Sequence, residues 1–216
     1  ERLTVDSSGR RADEAGFDPQ NVTQYGMTFD FPGMGAYGQT SWSAFAASTG
    51  WRFNDGIFGS EYYYDDPRFV ATIAWWERMA NEEGLVTPFT AVSALGTATL
   101  FSSQQAAMMV NGSWRIGSID ESTDFEFGFA RLPIGPVGRR SMFNGVADSI
   151  WSGTEHPEES WRWVKFLGSQ EAQDIVGRFG VVFPAVESSV ELALSAYETR
   201  GLDVSAFTEQ ATEPNG

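Results

Sequence analysis

The 216-residue sequence predicts an α/β fold, and three observations carry that expectation. Short apolar or alternating runs at Tyr25–Phe31, Ala107–Val110, Phe125–Arg131 and Ser141–Trp151 have the lengths and periods of strands. Longer segments repeat apolar residues at spacings of three and four, several bracketed by a helix start and a glycine stop. A composition of 42% hydrophobic and 20% charged residues supplies a sizeable core for one large domain or two small ones.

Leu3 to Asn21 is polar and turn-rich, with turns at Asp6-Ser-Ser-Gly9 and Asp18-Pro19, and reads as a short arm or hairpin. Asp6, Ser8 and Asp13 suggest a calcium loop, but Arg10 falls where such a loop needs an oxygen ligand. Tyr25, Met27, Phe29 and Phe31 alternate onto one face of a strand. Gly33-Met-Gly35-Ala-Tyr37-Gly38 then matches the letters of a dinucleotide fingerprint. The following Trp51–Asp55 is too short and polar to be the next parallel strand, so the glycines read as a loop over a cleft.

A helix is predicted over about 40–48, with Trp42, Phe45 and Ala46 on one side and Gly50 as its stop. The clearest helix signal follows. Asp66 caps, Pro67 fits the first turn, Phe69, Ile73, Trp76 and Ala80 make one face, and Gly84 ends it. A further helix over 92–103 feeds the run Ala107–Val110, whose length suits a strand buried on both faces. That strand stops at Asn111-Gly112, a pair suited to φ > 0, and delivers Trp114 to its own end. Trp114 reads either as one more core aromatic or as a binding platform on a rigid strand end.

Phe125, Phe127 and Phe129 alternate, and a Pro133–Pro136 turn leads to the strand 141–151, with which they are expected to pair. In that second strand Asn144 and Asp148 share a face and Gly145 lies between, polar groups that either pair internally or await a ligand. Pro157, Glu158 and Glu159 open a helix carrying Trp161, Val164 and Leu167. Ser169 caps another with Ala172, Ile175, Val176 and Phe179 on one face. An extended piece at 181–184, a helix over 188–197 and a loose polar tail from Thr208 complete the chain.

The formal charge of −15 repels phosphate backbones and argues against a nucleic-acid partner. Zero cysteines exclude disulfides and thiol chemistry, and no apolar run approaches the roughly 18 to 20 residues that span a bilayer. His156 is the only histidine. It precedes Pro157 where a helix cap is needed, and reads as that cap ahead of a catalytic base. Asp120, Glu121, Asp124 and Glu126 read as solvated surface charge. No enzyme signature, catalytic residue, metal site or cofactor is indicated. The many aromatics beside carboxylates and amides suit sugar rings, which stack on a face while their hydroxyls hydrogen-bond.

Five motifs in order carry a resemblance: Ala106-Ala-Met-Met-Val-Asn-Gly-Ser-Trp114, Phe127-Gly-Phe-Ala-Arg-Leu-Pro133, Asn144-Gly-Val-Ala-Asp-Ser-Ile150, His156-Pro-Glu-Glu-Ser-Trp161 with Phe166-Leu167, and Gly180-Val-Val-Phe-Pro-Ala185. Their succession resembles the family 1 extracellular solute-binding proteins of ABC sugar importers, of which the maltose-binding protein is the familiar member. The resemblance implies a periplasmic-binding-protein-like two-lobe fold (type II), of which this chain matches the middle. Residues 1–124 would form most of the second lobe, 125–186 a crossover and strand–helix segment of the first, and 187–216 a helix and tail returning to the second. The strands near Phe127 and Ile150 would then lack their usual sheet partners.

The resemblance also implies that Trp114 stacks on a sugar. Tyr37, Gln39 and Trp42 would line the cleft, and Asn144 and Gly145 would reach the ligand, with Asp148 on the same face as Asn144. Many relatives carry an aromatic where this chain has Val146, which leaves mono- and disaccharides as well placed as long oligosaccharides. Implied partners are a carbohydrate and the permease and ATPase of an ABC transporter, and the implied location is extracytoplasmic, periplasmic or as a cell-surface lipoprotein. A carbohydrate-active enzyme using a carboxylate pair, and a binding protein for a non-sugar solute, stand as alternatives.

Overall fold

The segment Tyr25–Phe29 lies between two parallel neighbours. The computed structural model describes residues 1–29, 39–56, 58–143 and 145–212, and for Gln39 and Thr40 the backbone alone. On one side β3 (Thr28–Phe29) pairs with β4 (Met109–Val110), after the antiparallel hairpin of β1 (Val5–Asp6) and β2 (Val22–Gln24). Tyr25 N–H donates to the Gln105 carbonyl at 2.9 Å and Thr28 N–H to the Met108 carbonyl at 2.8 Å. On the other side Gly26 N–H donates to the Leu85 carbonyl and Thr87 N–H to the Met27 carbonyl. Helices make both crossovers, as parallel pairing requires.

The helix α1 (Gln39–Ala47) packs on α2 (Pro67–Asn81), whose start is the one predicted: Pro67 lies in the first turn and the Asp66 carboxylate accepts the Arg68 N–H at 2.8 Å. Thr72, Trp76, Met79 and Ala80 form its buried face. They close on Phe29, Trp42, Ala46, Trp51 and Val86, with the Phe29 and Trp76 ring centroids 3.7 Å apart. On the opposite face of the strand, Thr28 and Thr87 share a buried hydroxyl hydrogen bond of 2.8 Å. β3 is therefore buried on both faces. β4 is not: Met108 is 47% exposed and Met109 and Val110 are half-buried, because among the described residues this strand pairs on one side only.

The single helix expected over 92–103 is two, α3 (Phe89–Leu95) and α4 (Thr97–Ser102). Gly96 separates them at φ 76°, ψ 155°, a conformation essentially confined to glycine. A second core gathers Ile116 of α5 (Ile116–Ser122), Ala193 and Tyr197 of α8 (Glu187–Thr199), and Val204 before α9 (Ser205–Thr212). Phe129, Phe183 and Phe207 pack around it. The supposedly loose tail is thus helical as far as Thr212.

Phe125, Phe127 and Phe129 keep their alternation, half-buried between exposed neighbours, but this stretch is not a strand and does not pair with 141–151. The pairing here is a hairpin of β5 (Ile134–Gly135) with β6 (Gly138–Arg139), docked on the end of α1 through Val137 N–H to the Ser48 carbonyl at 3.0 Å. The described residues of the expected strand 141–151 form no strand and, Met142 apart, are exposed, with Phe143 at 94% and Val146 at 97%. A strand needs a ladder partner, and the described residues supply none. Beyond it α6 (Pro157–Leu167) has no buried residue, while α7 (Gln170–Phe179) packs closely on α8.

Candidate functional site

Trp114 is presented by a short, well-anchored relay. β4 ends at Val110, and the Asn111 side-chain oxygen accepts the Gly112 N–H at 2.9 Å. The turn is therefore made by an asparagine side chain. The positive φ expected of Gly112 does not occur: it is extended, at φ −95°, ψ 169°. Ser113–Arg115 form one 3₁₀ turn, closed by Arg115 N–H to the Gly112 carbonyl at 3.0 Å, and run directly into α5. Ile116 and Ile119 bury that helix. Trp114 itself is 41% exposed, so it is not a core aromatic but an accessible ring on a fixed support.

Trp42 is the reverse case. It is 5% exposed, with Trp51, Phe69 and Tyr64 rings at centroid distances of 5.7, 5.1 and 6.4 Å. Expected to line a cleft, it serves instead as the centre of an aromatic cluster. The accessible members of that cluster are Phe53, Tyr62 and Tyr64, which sequence reasoning passed over. Their signal was the density of rings between Trp51 and Phe69.

Tyr37, Asn144 and the side chain of Gln39 lie outside the described residues. Gly145 and Asp148 are exposed and lie outside any helix or strand, so neither meets the buried-polar condition expected of them. Asp148 borders an apolar groove between α6 and α7, beside Trp163, Phe166 and Ile175. Among the described residues no hydrogen bond or ring contact joins Trp114 to Gly145 or Asp148.

His156 occupies the cap position of α6, yet its ring makes no cap hydrogen bond. Its carbonyl accepts the Ser160 N–H and hydroxyl, at 3.0 and 2.8 Å. Asp120, expected to be plain surface charge, accepts the Arg200 guanidinium, with Nε at 2.9 Å, and so ties α5 to the residue that caps the end of α8. The Asp6 carboxylate accepts backbone N–H groups from Ser8, Arg10 and Asp18. Those bonds, the one from Arg10 foremost, hold its pKa below the usual aspartate value. Its oxygens are engaged by the arm's own backbone.

Three solved structures share this architecture. UspC of Mycobacterium tuberculosis is 27% identical with a TM-score of 0.76, covering 98% of this chain and 51% of its own. The maltose/maltodextrin-binding domain MalE of Bdellovibrio bacteriovorus, bound to maltotriose, is 17% identical with a TM-score of 0.64, over 96% of this chain and 50% of its own. UgpB of M. tuberculosis, in complex with glycerophosphocholine, is 15% identical with a TM-score of 0.56, over 82% and 44%. The fold is that of a periplasmic-binding-protein-like α/β protein, represented here in part.

The bacterial extracellular solute-binding protein family matches residues 11–199, and the chain belongs to that family. A protein of Brucella abortus named as a binding protein is 26% identical over 131 residues, 59% of this chain and 31% of that protein. The chain thus spans about half the length of the solved structures it matches and about a third of that relative.

Proposed function

We propose that this chain belongs to a carbohydrate-capturing component of an ABC importer, in which Trp114 is the platform for one face of a sugar ring. The observation that carries the reading is the half-exposed indole on a strand–helix junction whose neighbours Ile116 and Ile119 are buried. A rigid, accessible aromatic gives a pyranose face an apolar partner with little ordering cost. Asn144 and Gly145 supply polar contacts from the 141–151 segment, and so do Tyr37 and Gln39, the latter the first residue of α1. Trp42 acts as packing in the aromatic cluster.

In this reading residues 1–124 form most of one lobe, 125–186 cross to the other, and 187–216 return. A sugar touching both lobes stabilises the closed arrangement over the open one, which presents the loaded protein to a permease. No bond of the solute is made or broken.

The glycerophosphocholine held by UgpB favours a second reading, a non-sugar solute in the same place. Titration of tryptophan emission with maltotriose, glucose, trehalose and glycerophosphocholine separates the two. Saturable binding of at least one sugar, with no product on prolonged incubation, is the expected result. Binding of glycerophosphocholine alone moves the assignment to the non-sugar reading, and hydrolysis of a bound sugar contradicts the transport role.

A further inference from the structure

Gly112 lies where the path of the chain does not require glycine. Its φ of −95° and ψ of 169° are extended backbone open to any residue, and its N–H bond to Asn111 is available to all but proline. What leaves no room for a side chain is Trp114. The six-membered ring of the indole lies across the Gly112 Cα, so an added Cβ would fall on the ring's own Cζ3 and Cη2 atoms. The obstacle is thus a half-exposed side chain that is free to turn outward.

We propose that Gly112 is a positioning residue for Trp114. Its bare Cα lets the indole rest on the backbone at the end of β4, covering one part of the ring and fixing the tilt of the rest. This deepens the proposed function and rests on it where ligand affinity is concerned, but the ring placement stands independently. A substitution at Gly112 turns the ring away without breaking the fold, because relief needs one side-chain rotation and no backbone movement.

The test labels the eight tryptophans with 5-fluorotryptophan and follows the fluorine spectrum of the ligand-free 216-residue chain, the Trp114 signal being identified by its loss in Trp114→Phe. In Gly112→Ala the Trp114 signal shifts and gains a larger solvent isotope effect, while the other seven hold. A Trp114 signal unmoved by Gly112→Ala overturns the proposal. Affinity for maltotriose falls about tenfold in Gly112→Ala, equivalent to about 1.4 kcal/mol. In a Trp114→Ala background the same change stays within about twofold, the scatter of independent sites.

An equal loss in both backgrounds means that Gly112 acts other than through the ring, and overturns the proposal. Absence of maltotriose binding in the parent counts against the sugar reading alone, since the fluorine spectrum still decides the positioning role. Should Gly112→Ala fail to fold, Gly112→Ala/Trp114→Ala removes the collision and melts with Trp114→Ala. A double variant that also fails to fold shows that the backbone itself requires glycine, which again overturns the proposal.

Discussion

Two tryptophans in similar sequence settings have opposite fates. Trp42 fills an aromatic interior, whereas Trp114 stands half in solvent, and only the second is available to a ligand. The difference lies in what surrounds each ring, and no local pattern encodes it. Asp66 shows the contrary, a residue whose role is wholly local. It caps α2 by accepting the Arg68 N–H, and the Arg68 guanidinium holds it as well, while that guanidinium also donates to the Gly50 carbonyl at 2.8 Å. The Arg68 side chain, then its N–H, depress the Asp66 pKa from 3.8 to about 2. A carboxyl with a depressed folded pKa contributes stability that is complete above its unfolded value and lost as pH falls through the folded one. Asp66→Asn is therefore expected to lower the melting temperature by a few degrees at neutral pH, and the gap to the parent should close between pH 3.8 and about 2. Thermal scans of both proteins across that window check it; a gap that stays constant would remove Asp66 ionisation from the account.

At the scale of elements, the closest approach is between α7 and α8. A Cβ on Gly177 would lie 2.6 Å from the Ser189 carbonyl oxygen and 3.1 Å from the Leu192 Cβ. Helix backbone cannot retreat as the Trp114 ring can, so Gly177→Ala must spread the two helices, at a cost of about 1–3 kcal/mol. Denaturant unfolding should show a lower midpoint with an unchanged slope. An unchanged midpoint would mean that the helices adjust freely. What could be read in advance divides along the same line. The end of α2 falls at Asn81, short of the expected Gly84, and Thr72 and Met79 join Trp76 and Ala80 on the buried face, but its start was legible because its cap and its proline are local. The break at Gly96 was not, since the helical pattern runs through it and only its backbone angles reveal it. The run 141–151 has a strand's composition but no ladder partner among the described residues, and composition cannot supply one. The Asp120–Arg200 pair joins residues 80 apart in sequence, beyond any motif. For the candidate site, the sequence pointed to Trp114 and to its turn, but neither the negative φ of Gly112 nor the exposure of the ring followed from it.

Across the whole molecule, many large apolar side chains are exposed, several of them in consecutive segments of the chain. Phe143, Val146 and Trp151 of the run 141–151 are exposed, as are Trp161 and Trp163 of the helix that follows. Apolar surface of this density drives association, which the formal charge of −15 opposes. Sedimentation velocity is expected to show self-association that strengthens with added salt, as screening removes the repulsion, and weakens in Trp163→Glu. A monomer at all concentrations and salts would refute that expectation. The two-lobe reading depends on the same segment, which carries Gly145 and Asp148. Its central claim, however, is the platform at Trp114. The most direct measurement is calorimetric titration of the parent and of Trp114→Ala with the sugar that binds the parent most tightly, because heat is read whether or not the reporting indole is present. Saturable binding in the parent that weakens at least about tenfold, about 1.4 kcal/mol, in Trp114→Ala is the predicted result. Equal affinity in the two proteins would contradict it and place the solute elsewhere.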